Sequence, residues 1–128
     1  MAGILRRKIS AYVADGLLAG KGEVIQELAA YLVDEGKAKD AELYVRSIES
    51  TLLSRGVAVA DIITARELTT EMQQAIEQLI GRETGAEKVE LRSRVEPALL
   101  GGFRLDLPDA RLDASVKHSL DTLRTSKV

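Results

Sequence analysis

Cysteine and tryptophan are absent from the chain, proline occurs only twice and histidine once. Without cysteine there is no disulfide framework, thiolate zinc site, iron–sulfur centre or cysteine nucleophile. Aromatic residues are scarce: Tyr12, Tyr31, Tyr44 and Phe103 are all there are. A base-stacking platform or an aromatic-lined ligand pocket has almost nothing to be built from. No apolar run approaches the roughly 20 residues that a membrane-spanning helix requires. Charge of one sign is also missing, because 18 Lys and Arg stand against 20 Asp and Glu. The resulting net charge of -2 gives no electrostatic reason to expect nucleic acid or anionic lipid as a partner. What remains is a 128-residue chain, 45% hydrophobic and 30% charged, the make-up of a globular domain whose function lies in surfaces rather than in a pocket.

The first part of the chain is patterned for helices. Leu5, Ile9, Tyr12, Val13 and Leu17 recur at spacings of three and four, which predicts a helix over 4–19. Gly20-Lys21-Gly22 ends it, and a second stripe follows in Val24, Ile25, Leu28, Ala29, Leu32 and Val33. After Gly36 comes a third stripe, Ala41, Tyr44, Val45, Ile48 and Leu52, closing at Arg55-Gly56. Three short helices joined by tight turns predict an antiparallel bundle over 1–56. Residues 1–14 carry Arg6, Arg7 and Lys8 and no acid, as transit peptides do. They run unbroken into the helical pattern, so they are read as mature protein.

After Gly56 the period changes. Residues 57–64 are β-branched and apolar on both faces, the signature of a central strand. Thr69 or Thr70 caps a fourth helix with Leu68, Met72, Ala75, Ile76 and Leu79 as its stripe. Val89, Leu91 and Val95 then alternate with Glu90, Arg92 and Arg94, which predicts a half-buried strand. Pro97 and Gly101-Gly102 precede a third strand with Phe103, Leu105 and Leu107 inward, and a fourth short strand is predicted at 110–113. Asp113 or Ser115 caps a last helix with Val116, Leu120 and Leu123 as its stripe. The order β-α-β-β-β-α, with hairpins rather than repeated βα units, makes residues 57–128 an α+β domain behind a helical domain of residues 1–56.

Chemistry-bearing patterns all have plainer readings. Gly16 to Gly22 has the wrong spacing for a phosphate loop, no strand before it, and Gly22 where a hydroxyl should stand. His118 lies off the apolar stripe of its helix, with no nucleophile placed beside it. Glu83, Glu87, Glu90, Glu96, Asp106, Asp109 and Asp113 interleave with Arg82, Arg92, Arg94, Arg104 and Arg111, the pattern of a solvated, charge-mixed surface. Arg6, Arg7 and Lys8 read as a solvated helix end. No catalytic, metal-binding or cofactor-binding residue is expected, and no cofactor.

The run from Val59 through Thr64-Ala65 to Glu67-Leu68-Thr69, then the Val89 strand, Val95-Glu-Pro-Ala-Leu-Leu-Gly-Gly102 and Leu112-Asp-Ala-Ser-Val116 resembles the delta subunit of F-type ATP synthases. In mitochondria that family is called the oligomycin sensitivity-conferring protein. Tyr12, Ala14 and Leu17 echo the tyrosine–alanine–leucine pattern of the family's first helix, in an N-terminal part shorter than is usual there. The resemblance implies a non-catalytic stator subunit that joins the catalytic head to the peripheral stalk. Its partners would be the alpha subunits of the head and subunit b of the stalk, and its place the cytoplasmic face of an energy-transducing membrane, without a span. Ala65, Leu68, Leu99, Gly101, Gly102, Asp113 and Ser115 are then fold-holding motif residues, and Tyr12 and Leu17 partner contacts. In this reading the paired glycines allow a positive φ or a close backbone approach, and Asp113 satisfies the N–H groups that open the last helix. The competing expectation is a free-standing interaction module of the same fold.

Overall fold

The computed structural model describes residues 2–99 and 102–126 and forms two compact units, Met1–Leu52 and Leu53–Val128. The first contains α1 (Ala2–Leu18), α2 (Glu23–Asp34), a short 3-10 turn at Ala38–Asp40 and most of α3 (Ala41–Ser54). Its core is Val13 and Ala14 of α1, Val24, Leu28 and Leu32 of α2, and Tyr44, Ile48 and Leu52 of α3. α1 and α2 approach closely because Gly16 has no side chain: a Cβ there would lie 2.5 Å from Val24 Cγ1. Ser10 is fully buried on the same helix, and its Oγ finds no hydrogen-bond partner. The stripe expected on α1 is therefore turned toward Ser10, Val13 and Ala14, leaving Leu5 and Tyr12 exposed at 45% and 58%. Small residues, not the largest apolar ones, set the contact line where two helices come this near. Ile25 and Val33 of α2 and Val45 of α3, placed on apolar stripes by their spacing, are exposed as well.

The second unit is α+β. It comprises β1 (Val57–Thr64), α4 (Thr70–Thr84), β2 (Lys88–Val95), a 3-10 turn at Pro97–Leu99, β3 (Phe103–Asp106) and α5 (Ala110–Ser126). Gly56 turns the chain from α3 into β1 at φ +92, a left-handed value that β-carbon sterics reserve largely for glycine. Its carbonyl then accepts from the amides of Glu87 and Lys88, tying the start of β2 to the start of β1. β1 is the central strand of a sheet ordered β2-β1-β3, as its two apolar faces imply. Ala58, Ala60 and Ile62 face α4 and α5, meeting Ile76, Leu79, Ile80, Val116 and Leu120 in one core with Leu105 and Leu107.

The structure corrects three details. β1 and β2 are parallel, in register from Val57↔Lys88 to Thr64↔Val95, so α4 is a crossover helix and no hairpin joins these strands. β3 pairs antiparallel on the other edge of β1, with Thr64 opposite Phe103 and Asp61 opposite Asp106. Residues 110–113 form the first turn of α5 instead of a fourth strand. The reason is Asp109: its Oδ1 accepts from the amides of Arg111 (2.9 Å) and Leu112 (3.1 Å), so the helix starts directly after Pro108. Asp113 and Ser115 are accordingly interior residues of α5, not its cap. At α4 the cap is Thr69, whose Oγ1 accepts from Met72 N at 3.1 Å. Met72 itself is 40% exposed, and Val95, expected inward on β2, is 45% exposed. The side chain of Leu123 lies outside the described residues.

Candidate protein-interaction surfaces

On the first unit, α1 and α2 carry Tyr12 and Glu27 to adjacent positions on the surface. The Tyr12 hydroxyl donates to Glu27 Oε2 at 2.9 Å. That hydrogen bond, with the charges of Glu27 and Glu23 behind it, raises the phenol above the ordinary tyrosine range. The ring is thus held in one orientation while remaining open to solvent, a fixed aromatic contact with a carboxylate beside it. Leu5 lies on the same face, two helical turns back, whereas Leu17 is half-buried. Tyr44 has the opposite setting: burial, reinforced by the neighbouring Tyr31, raises its phenol, and Lys37 and Arg6 pull the other way. The Lys37 ammonium also lies 5.9 Å from the centroid of the Tyr31 ring.

On the second unit, the motif residues gather at two ends of the sheet rather than in one place. Ala65 and Leu68 lie between β1 and α4, and Leu68 packs on the core. Glu96 N donates to Thr64 O at 2.7 Å and Gly102 N to Leu99 O at 3.1 Å, so Leu99 and Gly102 sit at that same end. A Cβ at Gly102 would meet Leu99 O at 3.4 Å, the edge of ordinary van der Waals contact. Gly101 lies outside the described residues. At the other end, α5 is tied to the last turn of α4 by Glu83, which accepts from Ser115 Oγ and Ser119 Oγ, each at 3.0 Å. Glu83 is thus a tertiary clamp where the charge pattern suggested a solvated acid. Asp113 Oδ2 pairs with Lys117 at 3.1 Å, and its Oδ1 is buried without a partner.

The face of the sheet away from α4 and α5 carries charge. Arg92 makes a two-toothed contact with Asp61 across the β1–β2 register, Nε to Oδ1 at 2.7 Å and Nη2 to Oδ2 at 2.8 Å. Sequence reading gave no sign of this pair, because its partners are joined only by the parallel register. His118 is exposed on α5. Among the described residues no group of three or more His, Asp or Glu is gathered to hold a metal ion.

Comparison with known proteins gives the arrangement a context. The family model for the ATP synthase delta (OSCP) subunit matches residues 6–126, which includes both units. Among curated relatives, the ATP synthase subunit delta of Hyphomonas neptunium is 33% identical over 121 residues, covering 92% of this chain and 65% of the relative. That of Rubrobacter xylanophilus is 30% identical, covering 86% of this chain and 62% of the relative. That of Gloeobacter violaceus is 38% identical over a shorter stretch, 62% of this chain and 40% of the relative. The chain thus spans less than two thirds of the length of these relatives.

Proposed function

This chain belongs to the ATP synthase delta (OSCP) subunit family, and from that membership we propose that it is a non-catalytic stator subunit linking the catalytic head of the synthase to its peripheral stalk. The observation that carries the reading is the family match across both the helical unit and the sheet unit. A link needs two docking surfaces on a stable scaffold, with apolar anchors at the centre and charge at the rim. The first unit offers Tyr12 and Leu5 on α1, and in this reading it meets the alpha subunits of the head. The second unit meets the stalk subunit b. Neither task calls for a titrating nucleophile or a bound ion.

The protein acts from the membrane surface in this proposal, on the cytoplasmic face. Among the described residues no helix is long and apolar enough to cross a membrane. A stator link holds the head still while the rotor turns, so removing it should uncouple the machine and spare its chemistry. ATP hydrolysis and ATP-driven proton pumping, measured on the same membranes with and without this protein, test this. Hydrolysis should persist while pumping falls to background and returns on adding the protein back. Pumping that stays coupled without it would sink the proposal.

A further inference from the structure

The break between α1 and α2 is short and rests on Gly20. Its φ of +78 is left-handed, whereas Gly22 is already helical at φ -60 and ψ -22 and caps α2 with no side chain. Two crossed hydrogen bonds close the turn: Gly20 N donates to Leu17 O at 3.0 Å and Lys21 N to Gly16 O at 2.8 Å. In a continuous helix the same two amides would use the same two carbonyls with partners exchanged, Gly20 to Gly16 and Lys21 to Leu17. Val24 N and Ile25 N now reach back three residues, to Lys21 O and Gly22 O. They would reach back four, to Gly20 O and Lys21 O. Opening the turn into one helix from Ala2 to Asp34 therefore loses none of these backbone hydrogen bonds. A Cβ at Gly20 or Gly22 would meet nothing within 4 Å, so the left-handed φ of Gly20 is what opposes a side chain in this turn.

Opening the turn gives up the α1–α2 contact, and the register of that contact lets a second copy restore it. Gly16 and Val24, which meet, stand four residues either side of Gly20. Tyr12 and Glu27, which also meet, stand eight before it and seven after. Two continuous helices laid antiparallel about a twofold axis beside Gly20 therefore bring Gly16 of each against Val24 of the other, and Tyr12 of each against Glu27 of the other. Val13 and Ala14 of each chain return to the core beside Val24, Leu28 and Leu32 of the other, so the buried set forms twice. Glycine at 20 and 22 leaves room where the two backbones pass at the axis. We propose that the helical unit has a second, domain-swapped state in which α1 and α2 fuse and α1 docks on a second copy of this chain. The left-handed conformation of Gly20 is the device that holds the chain in its unswapped form. The occupant is fixed by the contact itself, because the groove that α1 leaves is shaped to α1, down to the close approach at Gly16. This state belongs to the chain outside any complex and does not draw on the stator reading.

The test uses the full chain carrying Gly20→Ala, which strains the turn and favours the continuous helix, followed by sedimentation equilibrium. Dimerisation should tighten at least about tenfold over the wild type, since each chain escapes the cost of a side chain in the left-handed region. Gly85→Ala strains the left-handed cap of α4 in the same way and should lower the melting temperature without adding dimer. Gly22→Ala adds helix propensity at a residue that is already helical and unobstructed, so it should also tighten dimerisation, with no strain on folding. The exchange itself is read by cross-linking, which a chain without cysteine makes simple. Tyr12→Cys and Glu27→Cys are placed in separate preparations of the Gly20→Ala chain, refolded together and treated with a short bismaleimide. A swapped dimer joins position 12 of one preparation to position 27 of the other. A dimer without that cross-link is an ordinary face-to-face pair and overturns the proposal. So do Gly20→Ala and Gly22→Ala chains that stay as monomeric as the wild type, or equal dimerisation in Gly85→Ala.

Discussion

Tyr12 donates a hydrogen bond to Glu27 and Tyr44 lies under cover of the core, so both phenols hold their protons above the ordinary tyrosine value. A group whose proton is held more tightly in the folded state adds stability that is complete below the unfolded value, about 10. That stability is lost as pH rises through the folded value. In an alkaline titration followed by near-ultraviolet absorbance, Tyr12→Phe and Tyr44→Phe should each remove one phenol from the late part of the curve. Ionisation of both phenols at the ordinary value would contradict the two environments. The two aspartates of α5 separate as sharply. Asp109→Ala removes the acceptor of two amides and should cost about 1 kcal/mol in thermal or urea unfolding. Asp113→Ala loses one i,i+4 ion pair and a buried oxygen that has no partner, and should cost less than about 0.5 kcal/mol. The reverse order would restore Asp113 as the cap.

Among the elements, α1 and α2 have the tightest tolerance. A methyl group at position 16 would overlap Val24 Cγ1, so the buried Val24 side chain or the helices would have to shift to admit it. Gly16→Ala should therefore cost about 1–3 kcal/mol by overpacking, even though alanine is the better helix former. Val24→Ala in the same chain should return part of that loss, which a double-mutant cycle would show as coupling between the two sites. Additive effects would mean that the helices do not meet there. In the sheet unit the order β2-β1-β3 leaves β2 at an edge, where Lys88, Glu90, Arg92 and Arg94 supply the kind of charge that disfavours edge-to-edge pairing.

For the whole molecule, the two units invite separate stability tests. The helical unit has a core without Phe or Trp, and domains near 60 residues bury only about 60% of the surface their unfolded chains expose. The sheet unit adds Ile80, Leu105 and Val116, all almost fully buried, to a core drawn from three strands and two helices. We propose that a fragment of residues 53–128 melts cooperatively by circular dichroism, and that residues 1–52 alone show a broad transition or none. A cooperative melt of 1–52 with no transition in 53–128 would reverse this assignment. A helical unit that is marginal by itself would gain from partner helices, as a coupling protein allows.

Local pattern was enough for the elements themselves. The change from helix to strand at Gly56, Val57 to Thr64 as a central strand, the helix after Thr69 and the alternation at Val89 and Leu91 all follow from periods and caps that neighbouring residues carry. The family was legible too, because its motifs are ordered runs such as Val95 to Gly102. Strand direction was not legible: whether β2 lies parallel to β1 depends on how α4 packs across the sheet. The short strand at 110–113 was misread because four residues cannot distinguish alternation from a helical turn, whereas the Asp109 side chain can. Ser10 buried between helices, Glu83 clamping Ser115 and Ser119, and Asp61 meeting Arg92 join residues that no local period relates. Apart from residues 110–113, sequence alone determined which segments are helix and strand, and it determined which family they compose, since those depend on nearest neighbours along the chain. Tertiary structure decided which side chains meet and which faces stay open, because those depend on the register between strands and the closeness of helices.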